Sequence, residues 1–202
     1  MRVLFLIYGV ASYLVFLLVF VYFLGFVGDV FVPQSVSHPA SDGFGKALLI
    51  DIGVMLLFGI QHSVMARAGF KSFMARVIPR AIERATYVLA SAIVLALLMF
   101  WWQPSEGTVW SLENPAARAA VWALFALSWL LIFTSTFLTD HFDLFGLRQV
   151  WLNYVRRTYT DVTFTEQLFY RSIRHPMMLG ILIAFWAAPV MSVSRLVFSK
   201  IG

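Results

Sequence analysis

Long apolar runs separated by shorter polar connections dominate the pattern along this chain. Four runs, at residues 3–27, 47–66, 85–102 and 116–139, each hold at most one charged side chain. A helix of about 20 apolar residues crosses the hydrocarbon core of a bilayer, so each run predicts a span. A fifth run, at 176–194, is just long enough. The pattern predicts an all-α integral membrane protein with about five transmembrane helices.

The polar connections differ in character. The connection at 28–45 is rich in Gly, Pro and Ser, which is typical of an exposed loop. In the longest connection, at 140–174, apolar residues around 144–155 recur at near-helical spacing among basic residues. This spacing predicts an amphipathic interfacial helix before the last span. No internal repeat divides the chain, so residues 1–202 are predicted to form one membrane domain.

Composition and charge narrow the class of protein. The chain is 61% hydrophobic and 12% charged, whereas an ordinary soluble domain is about a quarter charged. In a soluble protein, a net charge of +5 would indicate binding to nucleic acid. Here, however, 11 of the 15 Lys and Arg residues lie at the N-terminus and in the connections 67–84 and 140–175. Short loops rich in Lys and Arg stay in the cytoplasm. The charge therefore predicts a cytoplasmic N-terminus and no nucleic-acid partner, and the absence of cysteine excludes a thiolate metal site.

With this orientation, polar residues from four of the predicted helices share the cytoplasmic side of the membrane. Polar groups inside a membrane need partners or water, so the cluster predicts a cavity open to the cytoplasm. The alternative, which fits the Ser and Thr residues best, is hydrogen bonding between helices. Asp51, nearer the outer side, is interpreted as either structural or solvated. The cluster comprises Gln61, His62, Ser63, Glu83, Arg84, Thr86, Tyr87, Thr134, Ser135, Thr136, Thr139, Asp140, His141, Asp143, Arg174 and His175.

The sequence Arg174-His175-Pro176 immediately precedes the fifth run. Proline is favoured in the first turn of a helix, so Pro176 predicts a helix start there. The free N–H groups of a helix start favour an anionic ligand, and an arginine beside them can hold a carboxylate with two hydrogen bonds. Gly180, one turn further, would let a ligand or another helix approach the backbone closely.

This motif resembles one found in the membrane methyltransferases that include isoprenylcysteine carboxyl methyltransferase, which carry Arg-His-Pro-x-Tyr-x-Gly at the start of a late membrane helix. The whole chain more closely resembles the methanethiol S-methyltransferases, which are relatives of nurim. The matching stretches lie within residues 8–36, 61–71, 78–89 and 168–192, and in the specific block STFLTDHFDLFGLRQVW at 135–151.

The resemblance implies S-adenosyl-L-methionine as the cofactor and transfer of its methyl group to a small thiol, which converts methanethiol into dimethyl sulfide. It implies a multi-pass protein of the bacterial inner membrane with its active site facing the cytoplasm. The family's cofactor contacts carry over to Arg174, His175, Pro176 and Gly180. Tyr170 and Arg171, which precede the motif, are further candidates for binding the cofactor.

A thiolate is a far better nucleophile than a thiol, and most of an alkanethiol is protonated at neutral pH. A base is therefore expected, and His175, His141 and Asp140 are the candidates, although a cationic field that lowers the thiol pKa is an alternative. An aromatic ring such as that of Tyr170 or Tyr154 could face the sulfonium through cation–π attraction.

The chain departs from the family pattern at two places. Met178 stands where the motif has tyrosine, so the role of that tyrosine does not transfer. The family also has a return helix and an acidic segment after the last span. We expect both to be missing here, since the sequence ends at Lys200, Ile201 and Gly202, about where the return helix would begin.

Two other functions fit some of these features. One is a non-catalytic, nurim-like membrane protein or an inactive relative of the enzymes. The other is a membrane haem or metal protein, since His62, His141 and His175 all lie on the predicted cytoplasmic side. No two of these histidines have the i,i+3 or i,i+4 spacing that would place them on one face of a helix.

Overall fold

A computed structural model describes residues 1–39, 43–162 and 168–201, with only the backbone described for Arg171. Helices make up most of this part of the chain. They are α1 (Arg2–Gly28), α2 (Phe44–Ala66), α3 (Ala68–Val77), α4 (Arg80–Trp101), α5 (Pro115–Leu138), α6 (His141–Leu144), α7 (Leu147–Tyr154), α8 (Pro176–Trp186) and α9 (Val193–Ile201), with a 3₁₀ turn at Leu168–Arg171 and two short strands, β1 (Thr108–Ser111) and β2 (Val190–Ser192).

Four helices, α1, α2, α4 and α5, are long and apolar enough to cross a membrane. They coincide with the four longest predicted spans, and the prediction of an all-α membrane protein is confirmed. Many of their Leu, Val, Ile and Phe side chains are exposed, as expected for surfaces that face lipid tails. We call the end where α1 begins and α2 ends the basic end, since most Lys and Arg residues lie there.

Aromatic side chains form much of the core between these helices. Phe26 of α1 packs edge-on against Trp102, with ring centroids 6.3 Å apart, and Trp102 is fully buried. Phe198 of α9 contacts both, at 6.0 and 5.3 Å. Edge-to-face pairs of this kind add to the free energy gained by burial. The core therefore ties α9 to α1 and to the end of α4.

The fifth predicted span, at 176–194, is wrong in its extent. Helix α8 has 11 residues, which at 1.5 Å per residue is about half the thickness of a hydrocarbon core. Pro189 explains the stop, because proline lacks the N–H a helix needs and disfavours helical backbone at the residue before it. Residues after Pro189 form β2, which pairs antiparallel with β1. The chain then turns back in α9, where Ser199 donates a hydrogen bond to the Phe185 carbonyl of α8 (2.9 Å).

The helix predicted at 144–155 is present but divided, and its position at the membrane interface stays a prediction. Helix α6 ends at Leu144, and α7 begins after Gly146, whose φ is +84°. A Cβ on Gly146 would lie 2.6 Å from the backbone nitrogen of Ala85 in α4. Glycine is therefore required by both the backbone conformation and the close packing. Val150 of α7 is buried against Gly9 of α1.

At the end of the bundle opposite the basic end, buried polar groups hold α9 against the end of α1. Asp29, which ends α1, accepts hydrogen bonds from Arg195 of α9 (3.2 Å) and from the Ser37 hydroxyl (2.8 Å). The Arg195 residue is only 3% exposed, so this is a buried ion pair. Asp51 accepts the backbone N–H of Gln103 (2.8 Å), which agrees with a structural role.

Candidate functional site

His141, a predicted catalytic residue, is buried at the basic end between α1 and α5 and is 5% exposed. Its Nδ1 lies 2.8 Å from the Thr136 hydroxyl, and its Nε2 lies 2.8 Å from the Tyr13 hydroxyl. Thr136 donates its own hydrogen to the carbonyl of Phe133 (2.7 Å). The Thr136 oxygen must therefore accept from Nδ1–H, which leaves Nε2 to accept the Tyr13 hydrogen.

The His141 ring is also held by aromatic contacts. It stacks on Phe137 with centroids 4.3 Å apart and an interplanar angle of 8°. Burial lowers the pKa of His141, and the charge of Asp140 opposes this shift. The imidazole is thus favoured in its neutral form, but its basic nitrogen is already hydrogen-bonded to Tyr13. The predicted role of His141 as a base stays a prediction, and it would require Tyr13 to release Nε2.

Asp140 precedes α6 and caps it. Its backbone has a φ of 69°, and its carboxylate accepts the backbone N–H of Asp143 (3.0 Å). Such a cap satisfies an N–H that has no partner within the helix. The structure shows this capping role, and the catalytic role of Asp140 stays a prediction.

Asp143 of α6 connects this helix at the basic end to α4, to α7 and to the segment that contains Tyr159. Its carboxylate accepts hydrogen bonds from Arg84 of α4 (2.5 Å), Arg148 (3.2 Å) and Gln149 of α7 (3.1 Å), and Tyr159 (3.3 Å). Arg84 also donates to the backbone carbonyl of Asp143 (3.0 Å). The sequence placed Arg84 and Asp143 in one polar cluster, and the structure shows that they are ion-pair partners.

A cavity of about 830 Å³ opens beside this ion pair. It lies between α3, the start of α4, α7 and residues 157–161. The side-chain oxygens of Gln149 and Asn153 are shielded there, without a hydrogen-bond partner among the described residues. Neither residue was predicted from the sequence, although their i,i+4 spacing places them on one face of a helix.

The residues of the Arg-His-Pro motif lie at the start of α8. Pro176 occupies its first turn, as predicted, and is fully buried. The Arg174 and His175 side chains are exposed, and neither forms a hydrogen bond or an ion pair with another residue in the described ranges. Tyr170 lies in the 3₁₀ turn just before them, and burial raises the pKa of its hydroxyl. The backbone of Arg171 ends the same turn.

Gly180 lies at a close helix contact. A Cβ there would be 2.7 Å from Cγ1 of Ile132 and 2.9 Å from the carbonyl oxygen of Ser128, both in α5. The sequence predicted that either a ligand or another helix approaches the backbone at Gly180, and the structure shows another helix. Its contact with a cofactor stays a prediction.

The predicted site residues form two groups. Asp140 and His141 lie with α1 and the end of α5, whereas Arg174, His175 and Pro176 lie at the start of α8. Because Gly180 packs on the later half of α5, both groups are near the same end of the bundle. Within the described residues no side-chain hydrogen bond or ion pair joins them, so a single site containing both stays a prediction.

Other predicted polar residues bond within or between helices. Tyr87 lies 3.1 Å from Nδ1 of His62, and Gln61 donates to Ser91 (3.3 Å), which links α2 to α4. Thr134 and Ser135 donate to carbonyls of their own helix, so their predicted bonding between helices is not observed. In the part of the chain that the structure describes, no group of three or more His, Asp or Glu side chains could hold a metal ion.

Comparison with known proteins gives consistent matches. Residues 50–191 match the model of a family described as NnrU protein. The chain is 48% identical to a methanethiol S-methyltransferase of Mycobacterium tuberculosis over 98% of this chain and 81% of that protein. It is 44% identical to one of Crocosphaera subtropica over 97% and 77% of the two chains. It is 31% identical to nurim of Sus scrofa over 83% and 70%. No solved structure matches.

Proposed function

Because the chain belongs to the NnrU protein family and to the family of methanethiol S-methyltransferases, we propose that it is a membrane enzyme that methylates the sulfur of methanethiol to give dimethyl sulfide. The observation that carries this proposal is the 48% identity over 98% of the chain to a methyltransferase of that name. Identity to nurim is lower, at 31%, so the methyltransferase function is preferred to a non-catalytic one.

We further propose S-adenosyl-L-methionine as the methyl donor, with its carboxylate at the start of α8. When bound, this cofactor supplies a methyl group carried on a positive sulfonium sulfur. Arg174 fits the carboxylate, since its side chain is exposed and is not engaged by another described residue. The N–H groups of the first turn of α8 add the positive end of the helix dipole.

The thiol must lose its proton as its sulfur forms the new bond to carbon. His175 is a better candidate for the base than His141, because Nε2 of His141 already accepts a hydrogen bond from Tyr13. Imidazole is the side chain best suited to exchange a proton near neutral pH, so an exposed histidine can accept this one. Arg174, beside it, would favour the thiolate through its positive charge. We also propose that the basic end faces the cytoplasm of a bacterial inner membrane, where this cofactor would be available.

The experiment that tests the cofactor assignment is binding of labelled S-adenosyl-L-methionine to purified Arg174→Ala. We expect affinity to fall by about tenfold to a hundredfold, which corresponds to the loss of one charge-assisted hydrogen-bonding group. The matched control is Arg156→Ala, which removes another exposed arginine at the same end. Unchanged affinity in Arg174→Ala, or an equal loss in the control, would show that Arg174 does not hold the cofactor.

The role of His175 is separable from that of Arg174. We expect His175→Ala to bind the cofactor with nearly normal affinity and to turn over methanethiol about a hundredfold more slowly, a typical loss for a general base. Turnover should recover partly at higher pH, where more methanethiol is already thiolate. Turnover equal to wild type at neutral pH would contradict the assignment of His175 as the base.

A further inference from the structure

The cavity beside Asp143 has the composition of a site for a zwitterionic ligand. Its cationic lining includes Lys71, Arg80 and Arg157, and its anionic lining includes Glu83 and Asp161. None of these five side chains forms an ion pair with another described residue, since the pairs observed among the described residues are those of Arg84, Arg148 and Arg195. A ligand with one negative and one positive group would therefore find partners for both.

Two amide oxygens in the lining of the cavity indicate which hydrogen-bonding groups the ligand carries. The Gln149 residue is 7% exposed, and its Nε2 donates to the Asp143 carboxylate, which fixes Oε1 as the other end of the amide. Neither this oxygen nor Oδ1 of Asn153 receives a hydrogen bond from a described residue. A buried acceptor without a donor is unfavourable. The cavity therefore favours a ligand that carries N–H or O–H donors.

The position of the cavity indicates where the ligand comes from. Met65 and Ala66, which line it, are the last residues of the span α2, and Arg80 begins the span α4. The cavity thus lies at the level where the spans end and lipid headgroups begin. Apolar lining from Phe70 and Met74 of α3 would continue along an acyl chain.

We propose that this cavity binds the headgroup of a glycerophospholipid that combines a phosphate with a primary ammonium, as phosphatidylethanolamine does. The phosphate would lie against Lys71, Arg80 and Arg157. The ammonium, with three N–H donors, would lie against the oxygens of Gln149 and Asn153. Phosphatidylcholine carries the same charges but has no N–H donor, so it is the matched comparison.

The test is lipid binding to the purified full chain by native mass spectrometry, with short-chain phosphatidylethanolamine and phosphatidylcholine in the same detergent. We expect at least about tenfold tighter binding of the ethanolamine lipid, because each ammonium hydrogen bond to a buried acceptor is charge-assisted. In Asn153→Leu this preference should fall several-fold. In Lys71→Gln both lipids should bind more weakly. The control Lys46→Gln, which removes a lysine at the opposite end of α2, should change neither.

Three outcomes would overturn the proposal. Equal affinity for the two lipids in the wild-type protein would remove the argument from N–H donors, and this comparison needs no variant. Equal affinity for water-soluble glycerophosphoethanolamine would identify a free metabolite and not a lipid. Displacement of the bound lipid by S-adenosyl-L-methionine would identify the cavity as the cofactor site. The first two outcomes do not bear on methyl transfer, because the residues assigned to that reaction lie elsewhere. The third would also overturn the proposed position of the cofactor at the start of α8.

Discussion

Substituting alanine for Gly180 tests whether this glycine serves helix packing. The added Cβ would lie 2.7 Å from Cγ1 of Ile132 and 2.9 Å from the carbonyl oxygen of Ser128. The second neighbour is backbone and cannot rotate away, so α8 must move away from α5. Because α8 begins at Pro176, the same movement would displace the residues that precede it, including Arg174.

Overpacking of this kind typically costs about 1–3 kcal/mol. Alanine is also favoured over glycine inside a helix by about 1 kcal/mol, which offsets part of the loss. Gly59→Ala is the matched control, since Gly59 lies in the middle of α2 and a Cβ there meets nothing within 4 Å. The helix preference is common to both variants, so their difference isolates the packing term. We expect Gly180→Ala to be less stable than Gly59→Ala by about 1–3 kcal/mol.

The assay is denaturant or thermal unfolding in one detergent, followed by tryptophan fluorescence, together with cofactor binding on the same samples. Equal stability of the two variants would refute the packing argument. A stable Gly180→Ala that no longer binds the cofactor would show that Gly180 serves the cofactor directly, as its place in the Arg-His-Pro motif predicts.

Two further changes test the basic end. Asp143→Asn removes the charge that pairs with Arg84 and Arg148, and we expect the free energy of unfolding to fall by about 1–3 kcal/mol. The loss is smaller than for a fully buried pair because both arginines are partly exposed. The control Glu113→Gln changes an exposed residue and should have no measurable effect, and an equal effect in both variants would contradict the role of Asp143. Burial lowers the pKa of His141, so the unfolded chain takes up the proton first as pH falls. The contribution of neutral His141 to the free energy of unfolding is therefore complete above about pH 6.5 and is lost as pH falls towards the lower pKa of the folded state. The melting temperature of wild type should therefore fall more steeply below pH 6.5 than that of His141→Gln, and parallel curves would contradict this.

Run length and composition were sufficient to predict the four long spans. A run of about 20 apolar residues has few alternatives to a membrane helix. The extent of α8 was not predictable in this way, because residues 176–194 are apolar throughout. The helix stops at Trp186, ahead of Pro189, and the residues after Pro189 pair with β1, which is distant in the sequence. Pairing of distant strands depends on the tertiary fold and leaves little trace in local composition.

The candidate site was predictable as a set of residue types but not as a set of contacts. The sequence placed His141 and Asp143 at one end of the bundle, and the structure places them there. It could not show that Nε2 of His141 is bound to Tyr13, since a lone tyrosine in an apolar span resembles core packing. Nor could it show which arginines pair with Asp143, because several lie at the same depth.

The most direct test of the central claim is methyl transfer to methanethiol. Membranes containing the chain would be incubated with methanethiol and S-adenosyl-L-methionine labelled on its methyl group, and dimethyl sulfide would be measured in the headspace by gas chromatography. We expect labelled dimethyl sulfide that requires both substrates and falls strongly in Arg174→Ala and His175→Ala. No labelled product above that of membranes lacking the chain, with the protein shown to be inserted and folded, would contradict it.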